Sequence, residues 1–168
     1  MTEIIAETPR MRIRTWSLDD IFSAHAFWGD PEVMRYAGEP HHDLERTRRA
    51  IRGGIKSQEE NGFCIWALEL KENGRVIGCC GFHDADEEIP GALELVFHLN
   101  KRVWRHGLAT EAVATSLEVA FKHLNRKIII AGCEPENTDS LRILQKFGFR
   151  EYGHQDTARM FRLDAPDT

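Results

Sequence analysis

Residues 93–149 read as strand, basic loop, long helix, strand, helix, and that order restricts the chain to a sheet with helices laid against it. Leu93 to Leu99 is the first strand-like run. A loop through Lys101, Arg102, Trp104, Arg105, His106 and Gly107 follows. Ala109, Ala112, Val113, Leu117, Ala120, Phe121 and Leu124 then keep the i, i+3, i+4, i+7 spacing of one buried helical face. Thr110, Glu111, Thr115, Glu118, Lys122 and His123 fall on the other face. Lys127 to Cys133 is a second strand-like run, and Pro135-Glu136-Asn137 opens a second helix.

The loop before the long helix has the make-up of an anion site. Lys101, Arg102 and Arg105 supply positive charge, and Gly107 lets a ligand approach the backbone closely. A helix start adds unpaired N–H groups and the positive end of a dipole. Phosphate or pyrophosphate suits such a place. Two familiar phosphate loops are excluded, because the chain contains neither a Gly-Lys-Ser/Thr triplet nor GxGxxG.

The flanking sequence fills in the layers. Met11 to Trp16 alternates as a half-buried strand does, and Ser17 caps a helix expected to reach about Trp28, where Gly29-Asp30-Pro31 stops it. A turn of helix is expected through Val33 and Met34. Asp43 caps a second helix over about Leu44 to Glu59, weakened by Gly53-Gly54. Phe63 to Leu70 and Arg75 to His83 form a hairpin through Glu72-Asn73-Gly74. Asp84 to Gly91 is an exposed acidic loop, Phe149 to Tyr152 and Thr157 to Leu163 close the chain as a hairpin, and Asp164 to Thr168 is a frayed tail. The expectation is an α/β (α+β) fold with a central, mixed but mostly antiparallel sheet flanked by helices.

Composition bounds the function. At 168 residues the chain is expected to be one domain, 1–168. The net charge of −5 argues against nucleic acid as a partner and suits a cationic amine. No run approaches the ~18 apolar residues of a membrane helix, so no membrane partner is expected. Met1-Thr2-Glu3 lacks a basic region followed by an apolar one, which makes cytoplasmic residence the expectation. Cys64, Cys79, Cys80 and Cys133 sit in apolar runs without CxxC spacing and read as small hydrophobes, so neither a disulfide framework nor a metal site is expected.

The Arg105-His106-Gly107-Leu108-Ala109 loop after a strand resembles the pyrophosphate loop of the GCN5-related N-acetyltransferases (GNAT). Glu134 to Ser140, followed by Leu141 to Phe149, resembles the second cofactor segment of that family. The likeness is to the RimJ/RimL-like branch, the ribosomal-protein N-acetyltransferases. That branch carries Trp-Gly-Lys-Gly-Tyr-Ala-Thr-Glu-Ala where this chain has Trp104 to Ala112. The resemblance implies a GNAT fold, acetyl-CoA as cosubstrate and transfer of its acetyl group to a primary amine. In the favoured reading that amine is a protein or peptide N-terminus. The alternatives are a GNAT enzyme acting on an aminoglycoside, polyamine or amino acid, and a non-catalytic acyl-CoA-binding module. A homodimer closing over the cleft is one arrangement the chain permits.

The resemblance also implies roles. Phe97, His98 and Leu99 hold the pantetheine arm, Arg105 to Thr110 (Arg105, His106, Gly107, Leu108, Ala109, Thr110) hold the pyrophosphate, and Asn137 contacts the arm. Glu94 matches a glutamate base, and Ser140 matches a serine proposed to protonate the leaving thiolate. Each has a plainer reading. Glu94 is also an acid near a strand start, facing solvent or paired with an arginine; alternation puts it with Val96 and His98 on one face. Asn137 is a good N-cap, and Ser140 fits a first helical turn. Histidines 25, 41, 42 and 83 read as loop and surface residues rather than a metal cluster. Phe27, Trp28 and Tyr36 are candidate walls of an acceptor pocket.

Overall fold

A computed structural model describes residues 2–167. Eight strands form one sheet in the order β1-β2-β3-β4-β5-β6-β8-β7. They are β1 Ile4–Glu7, β2 Met11–Arg14, β3 Ile65–Leu70, β4 Val76–Asp84, β5 Leu93–Leu99, β6 Ile128–Cys133, β7 Arg150–Gln155 and β8 Ala158–Asp164. Among the described residues, only β5 and β6 run parallel. The four α-helices are α1 Ile21–Trp28, α2 Leu44–Asn61, α3 Leu108–Glu118 and α4 Thr138–Lys146.

Side chains cap α2 and α4, and a capped 3-10 turn, Leu18–Asp20, leads into α1. The Ser17 hydroxyl accepts from Asp19 and the Asp20 carboxylate accepts from the Ser17 N–H, closing a capping box before α1. Asp43 accepts from the Arg46 N–H at α2, and Asn137 accepts from the Ser140 N–H at α4. Three expectations are corrected. The long helix does not stay α-helical to Leu124: its last turn, Val119–His123, is a π-turn closed by the Leu124 N–H on the Val119 carbonyl. Residues 31–37 are hydrogen-bonded turns without a helix. The tail is pinned at its start, since Asp164 ends β8 and the Ala165 N–H donates to Lys127; Thr168 lies outside the described residues.

Strand alternation assigns the two faces. Cys80 of β4 meets Ser116 of α3 on one face, while Cys79 faces Trp28 of α1 and His98 of β5 on the other. α2 joins α1 on that second face through a bond between Thr47 and His25. The face under α3 is closed by Leu108, Ala112, Val113 and Leu117, all buried in one core cluster with strand residues such as Leu93 and Ile129. Each such large apolar side chain contributes about 1.5–3 kcal/mol on burial. Among the described residues, no helix is long and apolar enough to cross a membrane.

Candidate active site

β5 pairs with β4 along its whole length but with β6 only at Leu93–Ile129 and Glu94–Ile130. Beyond Glu94 the edge of β5 that faces β6 has no strand partner. The Asn100 N–H reaches the Ile77 carbonyl of β4. Because backbone groups alternate in direction along a strand, the His98 N–H also points toward β4, and those of Phe97 and Leu99 point to the open edge. The Leu99 carbonyl on that edge is taken by the Trp104 indole N–H at 2.9 Å.

β5 then runs into a loop with two left-handed residues, Arg105 at φ 67° and Gly107 at φ 78°. Such a backbone turns successive N–H groups inward to make an anion-binding concavity. Gly107 is also the N-cap of α3, and no side chain caps that helix. The first N–H groups of α3 therefore stay open next to the dipole's positive end. Arg105, His106 and Gly107 are exposed, Leu108 is buried, and Ala109 and Thr110 are half-buried.

The charges around this loop differ from the sequence expectation. Lys101 is drawn off to Asp30 at 3.5 Å and Glu32 at 3.8 Å. Arg10 arrives instead from the β1–β2 turn: a Cβ on Gly107 would stand 3.5 Å from its guanidinium. Arg10 Nε donates to Glu111 of α3 at 3.0 Å, and the Thr8 hydroxyl donates to the other carboxylate oxygen. Burial pushes the Glu111 carboxyl up, but the bonds from Thr8 and Arg10 outweigh it and hold the group below its ordinary value. Arg10 could not be found by motif, because its place depends on a contact 101 residues along the chain.

Glu94 stands where β5 and β6 part. It is half-buried; its Oε1 lies 3.7 Å from His83 Nε2, and its Oε2 would lie 3.9 Å from a Cβ on Gly132. Of the two surroundings open to Glu94 from sequence, solvent or an arginine, neither is what it meets on this face: the β4–β5 register sets His83 opposite it. His98 shares this face, with Nδ1 3.6 Å from Cys79 Sγ. Burial, and after it the charge of His41, pushes the His98 imidazole down to about 4. Asn137 Oδ1 accepts the Ser140 N–H at 3.3 Å, so Asn137 does cap α4; Ser140 is half-buried in its first turn. Burial pushes all four cysteine thiols up, away from the reactive thiolate.

The histidines divide among separate places. His25 and His41 each meet the buried Thr47 hydroxyl at 2.9 Å, His42 lies 3.5 Å from Glu39, and His83 is with Glu94. Of the candidate pocket walls, Phe27 is fully buried in the core. Trp28 lines a cavity on the Glu94 face, and the Tyr36 hydroxyl reaches the Glu136 carbonyl at 3.4 Å, next to Asn137.

A sequence profile described as an acetyltransferase (GNAT) domain matches residues 10–150. The chain belongs to the GNAT family. It is 33% identical over 147 residues to an uncharacterized N-acetyltransferase, p20, of Bacillus licheniformis, covering 87% of this chain and 82% of p20. A GNAT-family acetyltransferase from Bacillus anthracis superposes with a TM-score of 0.83 at 24% identity, covering 98% of this chain and 99% of that one. RimL, a ribosomal L7/L12 alpha-N-protein acetyltransferase solved with coenzyme A, gives a TM-score of 0.81 at 13% identity over 96% of this chain and 98% of RimL. This GNAT protein is therefore an N-acetyltransferase with the expected fold. Members of the family use acetyl-CoA, and the family implies an amine acceptor.

Proposed function

We propose that this GNAT chain, acting as one domain over residues 1–168, moves the acetyl group of acetyl-CoA to a primary amine by direct transfer with both substrates bound. The acceptor is the α-amine of a peptide or protein N-terminus, in line with the RimJ/RimL-like loop sequence and with RimL being a ribosomal L7/L12 alpha-N-protein acetyltransferase. Acetyl-CoA supplies the activated acetyl group. The open edge of β5 suits its pantetheine arm, with Phe97 and Leu99 as N–H donors and His98 between them, and Asn137 is the further contact for the arm. A donor on that edge, held in place before the reaction, stabilises negative charge on the thioester oxygen. N–H groups from Arg105 to Thr110 suit the pyrophosphate, and Arg10 adds positive charge beside them. Glu94 takes the proton of the acceptor ammonium, and the Ser140 hydroxyl donates a hydrogen bond to the departing thiolate.

One observation carries this reading: β5 loses its β6 partner directly after Glu94 and leads into a doubly left-handed loop at an uncapped helix. The test is thiol release from acetyl-CoA with a panel of short peptides, for wild type, Glu94→Gln and Ser140→Ala. Loss of a general base lowers kcat by about 10²–10⁴. Glu94→Gln should lose that much near neutral pH and less at high pH, where the amine is already neutral. Full turnover by Glu94→Gln sinks its role as base. Turnover of small amines but of no peptide sinks the peptide acceptor.

A further inference from the structure

Between α2 and the start of β3 lies a cavity of about 240 Å³, on the same sheet face as Glu94. Its roof is one side of α2, where Ala50, Gly53, Gly54 and Ser57 follow helical spacing and the small residues leave the space open. Trp16 and Trp28 form a wall, their rings 5.2 Å apart and tilted. His83 stands at the end nearest the reacting groups, and its Nε2 is 3.7 Å from Glu94.

The polar atoms of this lining are already spent inside the protein. The Trp16 indole N–H donates to the Ile65 carbonyl at 2.6 Å, and the Ser57 hydroxyl donates to the Phe63 carbonyl at 2.8 Å. Burial pushes the Cys64 thiol up, which keeps it a neutral apolar group. Apart from His83 the lining offers a ligand aromatic faces and small aliphatic groups. No carboxylate lines the cavity, so a second ammonium, as on a polyamine or aminoglycoside, finds no counter-charge. No lysine or arginine lines it either, so the carboxylate of a free amino acid is unmatched. The volume lies below the ~300–1,000 Å³ of drug-sized sites, and suits one ring or a branched chain.

We infer that this cavity selects acceptors whose amine is carried close to an uncharged aromatic or large aliphatic group: the group fills the space under α2 while the ammonium lies past His83, at Glu94. The inference rests on the amine-transfer reading above and adds the class of acceptor. A peptide beginning with Phe or Leu and a free arylalkylamine both have this chemistry.

The test is kcat/KM with acetyl-CoA for peptides that differ only in a first residue of Phe, Leu, Ala, Gly, Lys or Asp, beside phenethylamine and spermidine. Wild type should favour Phe and Leu over Gly, Lys and Asp by at least tenfold, within the range that a hydrophobic pocket supplies. Phenethylamine turning over as well as the Phe peptide identifies a free amine as the source; the reverse identifies a peptide. Gly53→Leu narrows the cavity from the α2 side, where an added Cβ meets nothing within 4 Å, so the helix is kept. It should collapse the Phe-to-Gly preference at least tenfold. Preference for Lys, Asp, Gly or spermidine, or an unchanged preference in Gly53→Leu, overturns this inference and leaves amine transfer standing. Bound acetyl-CoA with no turnover of any amine overturns both.

Discussion

Arg14→Ala removes the anchor that fixes where the chain enters α1, and with it the wall formed by Trp16 and Trp28. The Arg14 and Asp20 side chains are 10% and 9% exposed. Their two contacts, at 3.0 and 2.9 Å, form a bidentate fork, and Arg14 Nε donates to Glu69 at 3.0 Å. Asp20 also accepts the Ser17 N–H at 2.8 Å, so the same carboxylate closes the capping box. The alanine variant leaves that carboxylate desolvated with a single donor. Breaking a buried pair in this way costs about 3–5 kcal/mol. In a chain of this size each kcal/mol moves Tm by ~2–4 °C, so calorimetry should record a fall of roughly 6–20 °C. Arg14→Met combined with Asp20→Asn should recover part of the loss, because no carboxylate remains stranded at position 20. A loss below ~1 kcal/mol in Arg14→Ala would put the pair among ordinary surface bridges and refute the reasoning.

Three further outcomes are expected. His98 has an ordinary value of 6.5 and is held down to about 4 in the folded chain, so the unfolded chain takes up the proton first. Stability measured in urea should therefore fall as pH drops through that window, by at most ~1.4 kcal/mol per pH unit for this group, and His98→Asn should flatten the slope. Arg10→Ala should raise KM for acetyl-CoA several-fold and lessen its sensitivity to salt, since it removes the guanidinium beside Gly107 and leaves the Glu111 carboxylate without that partner. Gly53→Ala should raise the denaturation midpoint by a stabilisation of about 1 kcal/mol, whereas Gly54→Ala should gain less or lose, its Cβ falling 2.9 Å from Trp16 Cδ1.

The residues 93–149 were legible because their signals are local. A seven-residue run makes β5 with the expected bounds, and one polar residue, Asn137, caps α4. The glycine at the start of α3 was legible locally, and Gly107 takes a φ of 78° as the N-cap of a helix with no side-chain cap. What the sequence withheld depends on register and on distant partners. Glu94 meets His83 rather than an arginine because the β4–β5 ladder aligns them. Lys101 is drawn to two acids in the segment after α1, and Arg10 takes a place beside Gly107. β1, Ile4–Glu7, carries little local signal, being a short run at the sheet edge without apolar–polar alternation. The cavity under α2 could not be read from Gly53-Gly54, which as a local signal only weakens a helix.

The most direct test of the cofactor site is thermal unfolding with and without acetyl-CoA, for wild type and Gly107→Asp. A ligand at a hundredfold excess over Kd stabilises by ~2.7 kcal/mol. For this chain that is a Tm rise of roughly 5–11 °C. Aspartate at position 107 must adopt the φ of 78° and places negative charge where the pyrophosphate would lie. Wild type should show the rise, and a Gly107→Asp protein that still unfolds cooperatively should lose it. No rise in wild type at saturating acetyl-CoA, or an equal rise in the variant, would contradict a cofactor site at this loop.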